Sequence, residues 1–105
     1  MLVEWRPEAR AALRAILSYI AERNPAAAFN LFEEIERSTS ALPQHPYLYR
    51  HGRVAGTREI VVHPNYIVVY RITTASVEIV GILHSRQRGV GSGLVMMHFE
   101  FREQP

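Results

Sequence analysis

The amino-acid sequence predicts an α+β fold in which an antiparallel β-sheet, opened by an N-terminal strand, carries a two-helix hairpin on one face. The chain has 105 residues, enough for one small domain. Apolar residues follow a helical period before residue 43 and strand-like patterns from residue 58 to residue 84. The resulting order, β-α-α-β-β-β, segregates helices from strands, as α+β proteins do.

The chain opens with a short strand and an amphipathic helix. Residues 2–5 are few and alternate, which predicts the opening strand. Pro7 suits the first position of a helix, and Glu8 in the first turn interacts favourably with the helix dipole. The apolar side chains that follow recur at intervals of three and four residues and therefore share one face: Leu13, Ile16, Leu17 and Ile20.

A second helix follows the first with almost no loop, so the two form a hairpin. Asn24 can cap the second helix and Pro25 can occupy its first position. Pro43 ends it, because proline cannot continue a helix. Its apolar stripe comprises Ala28, Leu31, Phe32 and Ile35, and is extended by Leu42.

The second half of the chain predicts three consecutive strands. Residues 43–57 are a loop, since they contain two prolines and two glycines. Residues 58–63 and 66–72 form strands joined by the turn Pro64-Asn65, and residues 77–83 form the last strand. The segment 66–72 is apolar on both faces, which is typical of a covered central strand.

The predicted domain spans residues 1–88, and residues 89–105 form a C-terminal tail. Three glycines between residues 89 and 93 predict a flexible connector. Residues 94–101 predict an additional strand, which would cover a sheet edge or pair with a second copy to form a homodimer. Unpaired, such an apolar strand would promote aggregation.

The composition excludes several classes of protein. The chain has no cysteine, hence no disulfide framework and no thiolate metal site. No segment approaches the roughly 18 apolar residues of a membrane span, and the N-terminus lacks the layout of a signal peptide. The five histidines are scattered, without the spacing of metal ligands. We therefore expect a cytoplasmic protein without membrane contact, metal or cofactor.

Positive charge concentrates in the predicted sheet. All 12 basic residues are arginine and all 10 acidic residues are glutamate. Residues 50–88 contain six arginines and two glutamates, a balance of +4, whereas the segments before and after each carry −1. This region suits an acidic protein partner as well as RNA or DNA.

Some of these residues could cleave RNA without a metal, which requires an acid, a base and cations on the phosphate. His84 titrates near neutrality, Arg58 and Arg86 could hold phosphate, and Tyr66 could stack on a base. A structural interpretation stands beside this one. Tyr66 can pack in the core and His84 can be a structural hydrogen-bonding residue, while Arg86 and Arg88 can be solvated charges or contacts for an acidic partner.

An ordered set of residues carries a resemblance to a known family: Trp5, Pro7, Ala9, Tyr19-Ile20, Asn24-Pro25, Leu42-Pro43, the block from Gly56 to Arg71, and Ile82 to Arg88. With this set, residues 3–88 resemble the RelE/ParE superfamily of toxins from bacterial type II toxin–antitoxin modules, which include plasmid-stabilisation systems. The family's fold, a small sheet with a helical hairpin, agrees with the prediction above.

The resemblance implies a toxin that arrests growth and is silenced by a cognate antitoxin, whose C-terminal segment folds on binding and wraps around the toxin. We expect an antitoxin groove on the helical hairpin, lined by Leu13, Leu17, Ile20 and Phe32. Contacts with the target or the antitoxin are expected from the basic end residues, namely Arg58, Arg71, His84, Arg86 and Arg88.

The family divides by target, and the sequence favours one branch. RelE-like members cut mRNA on the ribosome with basic and aromatic residues, whereas ParE-like members poison DNA gyrase and lack that set. This chain has no lysine, has no glutamate in the loop before Gly56, and carries Ile67 where ribonuclease members place an arginine. The chain also continues beyond the basic residues Arg86 and Arg88, soon after which members of this family often end.

We therefore expect gyrase inhibition by a non-enzymatic toxin. One alternative is a ribosome-dependent mRNA endonuclease, with His84, Arg86, Arg58 and Tyr66 as its catalytic residues and the ribosome and mRNA as partners. The other is an inactive copy that only binds antitoxin.

Overall fold

The computed structural model describes residues 1–85. Its elements are strand β1 (Leu2–Trp5), helices α1 (Pro7–Ala21) and α2 (Pro25–Ser40), and strands β2 (Arg50–His51), β3 (Arg58–His63), β4 (Tyr66–Ile72) and β5 (Ser76–His84). The predicted α+β class and the order of its main elements are confirmed. The tail 89–105, its predicted strand and the homodimer through it lie outside the described residues.

Both helices begin where the sequence predicts. Pro7 occupies the first turn of α1. At the start of α2, the side-chain oxygen of Asn24 accepts a hydrogen bond from the Ala27 amide at 3.1 Å, which satisfies a donor that a helix otherwise leaves unpaired. The helix ends at Ser40, before the predicted stop, and Leu42 leaves it through a turn but still reaches the core.

The five strands form one sheet in the order β1-β5-β4-β3-β2. The pairs β3–β4 and β4–β5 are antiparallel, as predicted, and the additional pair β2–β3 is antiparallel too, whereas β1 lies parallel to β5. Tight turns force antiparallel pairing on consecutive strands, but β1 and β5 are far apart in the chain and no hairpin constrains them. The short β2 falls within residues 43–57, which were predicted to be loop throughout.

The helical hairpin covers one face of the sheet. Helix α1 packs on β5, α2 packs on β3, and the two helices pack on each other. The central strand β4 is buried from Ile67 to Tyr70, which agrees with its apolar character on both faces. The core joins these strands to the helices through Leu13, Ile16, Leu31, Ile35, Ile60, Val68, Ile79 and Ile82.

Candidate functional site

One end of the sheet carries a row of three rings. Tyr66 lies opposite His63 on β3 and opposite His84 on β5. The ring centroids of Tyr66 and His84 are 5.1 Å apart, and those of Tyr66 and His63 are 5.7 Å apart. Burial raises the pKa of the Tyr66 hydroxyl, and Tyr19 raises it further. The structure therefore brings together Tyr66 and His84, two of the predicted ribonuclease residues.

His63 belongs to the same row, although it is not among the predicted site residues. Its Nδ1 accepts a hydrogen bond from the Asn65 amide at 2.9 Å, so the ring also stabilises the tight turn. The signal was the two-residue turn Pro64-Asn65, because a turn of this length places the residues that flank it opposite each other.

Arg58 lies far from this row and anchors a loop. It pairs with Tyr70 in the β3–β4 ladder, four residues from Tyr66 along β4, which corresponds to about 13 Å. Its Nη1 donates hydrogen bonds to the carbonyl oxygens of Tyr49 at 2.6 Å and Tyr47 at 3.4 Å. The guanidinium also lies 5.2 Å from the centroid of the Tyr47 ring. Arg58 is therefore not assembled with Tyr66 and His84.

Tyr70 fastens the same loop from the central strand. Its side chain is fully buried, and its hydroxyl donates a hydrogen bond to the carbonyl of Pro46 at 2.6 Å. Burial raises the pKa of Tyr70, so the hydroxyl keeps its proton at neutral pH. The loop between α2 and β2 is thus tied to the sheet by two side chains from adjacent strands, Tyr70 and Arg58.

Glu59 forms a buried ionic cluster where β2 meets β3. Its side chain is only 4% exposed, and its carboxylate accepts hydrogen bonds from Arg50 Nη2 at 3.2 Å, Arg53 Nε at 3.1 Å and the Arg53 amide at 3.0 Å. Burial alone would raise the pKa of Glu59, but the hydrogen bonds and charge of Arg53, with the charge of Arg50, lower it. A carboxylate held ionised in this way is poorly suited to act as a general base.

The close approach of the backbone after β2 to the Glu59 carboxylate requires a glycine at residue 52. A Cβ atom at residue 52 would lie 2.3 Å from the hydroxyl of Thr57 and 3.3 Å from a carboxylate oxygen of Glu59. The backbone of the β2 loop therefore reaches the carboxylate only because residue 52 has no side chain.

The remaining arginines predicted to contact the target or the antitoxin are Arg71, Arg86 and Arg88. Arg71 donates a hydrogen bond from Nε to Glu78 at 2.7 Å across β4 and β5, and Arg6 lies 4.0 Å from the same carboxylate. Arg71 is therefore part of a cross-strand ion pair. Arg86 and Arg88 lie outside the described residues.

Only part of the predicted antitoxin groove on the hairpin is exposed, and the large apolar side chains exposed there are aromatic. Leu13 is only 8% exposed and belongs to the core, while Leu17 and Ile20 are partly buried against it. Phe32 is exposed. Tyr19 and Phe29 are the most exposed large hydrophobic side chains of the hairpin, at 57% and 59%.

The described residues contain neither a group of three potential metal ligands nor a helix suited to spanning a membrane. Within residues 1–85, no three His or Glu side chains gather as metal ligands would. Neither α1 nor α2 has the length and hydrophobicity that a membrane-spanning helix needs.

Comparison with known families identifies the chain. A model of the ParE toxin of the type II toxin–antitoxin system parDE matches residues 3–89. The chain belongs to this family. It is a type II toxin–antitoxin toxin, and membership of this family implies an antitoxin partner.

Two curated toxins are similar to this ParE-family toxin over most of their length. The putative toxin Y4kP of Sinorhizobium fredii is 34% identical over 87 residues, which cover 82% of this chain and 90% of the relative. Toxin RelE2 of Caulobacter vibrioides is 34% identical over 85 residues, which cover 79% and 93%.

A solved structure shares the fold. A chain of the chromosomal ParDE TA system from P. aeruginosa superposes with a TM-score of 0.70 at 20% identity, covering 80% of this chain and 95% of that chain.

The Glu59 cluster predicts a pH-dependent loss of stability. Glu59→Gln removes the charge that two arginines share, so we expect the free energy of unfolding at pH 7 to fall by about 2 kcal/mol. Because folding lowers the pKa of Glu59, its contribution is present above the ordinary value of 4.5 and is lost as the pH falls through the folded-state pKa. Urea unfolding should therefore show the two proteins converging below pH 4.5.

The matched control is Glu34→Gln on the outside of α2, where Glu34 pairs with Arg37. An exposed pair contributes less than about 1 kcal/mol, so this variant should resemble the wild type. Equal stabilities of Glu59→Gln and wild type at pH 7 would contradict the role assigned to the cluster.

Proposed function

We propose that this ParE-family toxin arrests growth by binding and inhibiting DNA gyrase, without catalysing a reaction of its own. The observation that carries the proposal is that Glu59 and Arg58, which a nuclease could use on β3, are committed to structural contacts. Glu59 is paired with Arg50 and Arg53, and Arg58 binds loop carbonyls. The match to the toxin of parDE supports the same branch of the superfamily.

The position of Ile67 also supports a non-enzymatic toxin. Ile67 is buried on β4 and pairs with Val61 and Leu83 on the flanking strands. At this position an arginine of the ribonuclease branch would supply a cation to the sheet surface, whereas isoleucine supplies only packing. A gyrase inhibitor needs contact surfaces rather than an acid and a base, and it would act in the cytoplasm, where its target lies.

We assign the antitoxin contact to the aromatic surface of the hairpin, formed by Tyr19, Phe29 and Phe32 with Leu17 and Ile20 beside them. The exposed aromatic side chains lie on two helices that pack on each other, and an amphipathic helix could bury its apolar face against them. The guanidinium of Arg23 lies 4.0 Å from the centroid of the Tyr19 ring, which adds a cation at the edge of this surface.

A second candidate function is ribosome-dependent mRNA cleavage. The observation that favours it is the ring row, since Tyr66 and His84 lie within 5.1 Å between centroids. A histidine acid beside a tyrosine that stacks on a base would serve such a reaction. Arg58 would have no direct part in it, because it lies at the opposite end of β3.

The gyrase proposal predicts that purified toxin blocks supercoiling of relaxed plasmid by DNA gyrase and accumulates cleaved DNA. The variant His84→Ala should inhibit as well as wild type, since no acid is needed. Normal supercoiling at excess toxin would overturn the proposal. Cleavage of mRNA in programmed ribosomes that is lost in His84→Ala would establish the ribonuclease function instead. Unimpaired growth when the toxin is overexpressed would indicate an inactive copy.

If the antitoxin binds the aromatic surface of the hairpin, a toxin that lacks this surface should no longer be neutralised. The double variant Tyr19→Ala/Phe29→Ala should still arrest growth, but co-expression of the antitoxin that protects cells from the wild type should no longer restore it. Leu2→Ala, which removes an exposed apolar side chain from β1, is the control and should remain neutralised. Full protection against the double variant would place the antitoxin elsewhere.

A further inference from the structure

The loop between α2 and β2 displays two adjacent apolar side chains. Tyr47 and Leu48 are each 67% exposed, and together they form what we call the Tyr47–Leu48 knob. We propose that this knob is the anchor by which the toxin engages its target protein, at an acidic surface that offers an apolar depression. The inference rests on the proposed function, because the target named there is gyrase.

The first support for the proposal is that the knob is held rigidly. Tyr70 binds the carbonyl of Pro46 from the core, and Arg58 binds the carbonyls of Tyr47 and Tyr49. Three carbonyls on both sides of Leu48 are therefore fixed by side chains of the sheet. A surface fixed before binding loses little conformational entropy when the complex forms, which favours affinity.

The second support is a cleft beside the knob. It has a volume of about 460 Å³. Arg58 contributes to its wall, and the hydrogen bonds that its guanidinium makes within residues 1–85 all leave from Nη1. A carboxylate that entered the cleft would meet this cation. The cleft is lined by Tyr47, His51, Gly56, Thr57, Arg58, Ile72, Thr73 and Thr74.

The third support is the charge around the knob. Residues 41–59 contain three arginines and one glutamate, a balance of +2, whereas residues 7–40 contain four arginines and five glutamates, a balance of −1. The loop therefore complements an acidic partner, and charge complementarity of this kind speeds association and selects the partner. The helical hairpin as a whole has the opposite balance, so the loop and the hairpin suit different partners.

A protein fits this surface better than a nucleic acid. Leu48 has no stacking face for a base, whereas tyrosine and arginine are the residues on which protein interfaces most depend. We therefore assign the knob to an acidic protein surface.

The test compares the double variant Tyr47→Ala/Leu48→Ala with wild type in three assays: affinity for purified DNA gyrase, inhibition of supercoiling, and growth arrest after induction. We expect the variant to lose at least about tenfold in affinity and inhibitory potency and to permit growth. Tyr47→Phe keeps the knob and should stay within about twofold of wild type. Leu2→Ala matches Leu48→Ala in exposure, since Leu2 is 68% exposed, and should behave as wild type.

The outcomes separate the two proposals. If wild type arrests growth without affecting supercoiling, the gyrase proposal fails. The growth-arrest assay alone then tests whether the Tyr47–Leu48 knob engages the target. Growth arrest by the double variant at the wild-type level would overturn the inference whatever the target is. Undiminished affinity of the double variant for gyrase would also overturn it. Thermal unfolding checks the fold, and the single variants Tyr47→Ala and Leu48→Ala give the same comparison if the double variant is unstable.

Discussion

The hydrogen bond from the Tyr70 hydroxyl to the Pro46 carbonyl is the interaction on which the arrangement of this toxin depends. Tyr70 lies in the middle of the sheet and is fully buried, so the bond joins the centre of the core to a loop that has almost no regular structure. A buried hydroxyl that loses its partner costs about 1–3 kcal/mol, which keeps the loop in place. Arg58, paired with Tyr70 across β3 and β4, adds bonds to Tyr47 and Tyr49.

Similar contacts give Glu59 and Arg58 structural roles on β3. Glu59 and Arg58 are neighbours on β3, and each fastens part of the connection between α2 and β3. The Glu59 carboxylate, which accepts three hydrogen bonds, has little capacity left to take up a proton, and Arg58 Nη1 is held at the loop carbonyls. The same contacts hold the exposed side chains of Tyr47 and Leu48 in place, at the surface that we propose for the target.

Much of the fold could be predicted from the sequence because its signals are local. Asn24-Pro25 marks a helix start, and a segment apolar on both faces marks the central strand, as β4 shows. Strand β2 could not be predicted, because Arg50 and His51 pair with β3 through their backbone and carry no strand-like pattern. The parallel pairing of β1 depends on contacts between distant parts of the chain and leaves no local signal.

The site was less predictable for the same reason. Sequence periodicity places Leu13 on the apolar face of α1 but does not show that this residue lies deep in the core. Likewise, composition identifies Arg58 and His84 as candidate functional residues, but only the register of β3, β4 and β5 shows that they lie at opposite ends of the sheet. His63 was missed because its role depends on the turn that sets it opposite Tyr66.

Hydrogen–deuterium exchange of the toxin, measured alone and with an excess of DNA gyrase, tests the central claim most directly. The claim is that a preorganised loop, rather than the helical hairpin, contacts the target. Backbone amides of residues 44–53 should become protected when gyrase is added, while those of α1 and α2 remain as in the free toxin. Protection confined to the helices, or no protection under conditions in which the toxin inhibits gyrase, would contradict this account.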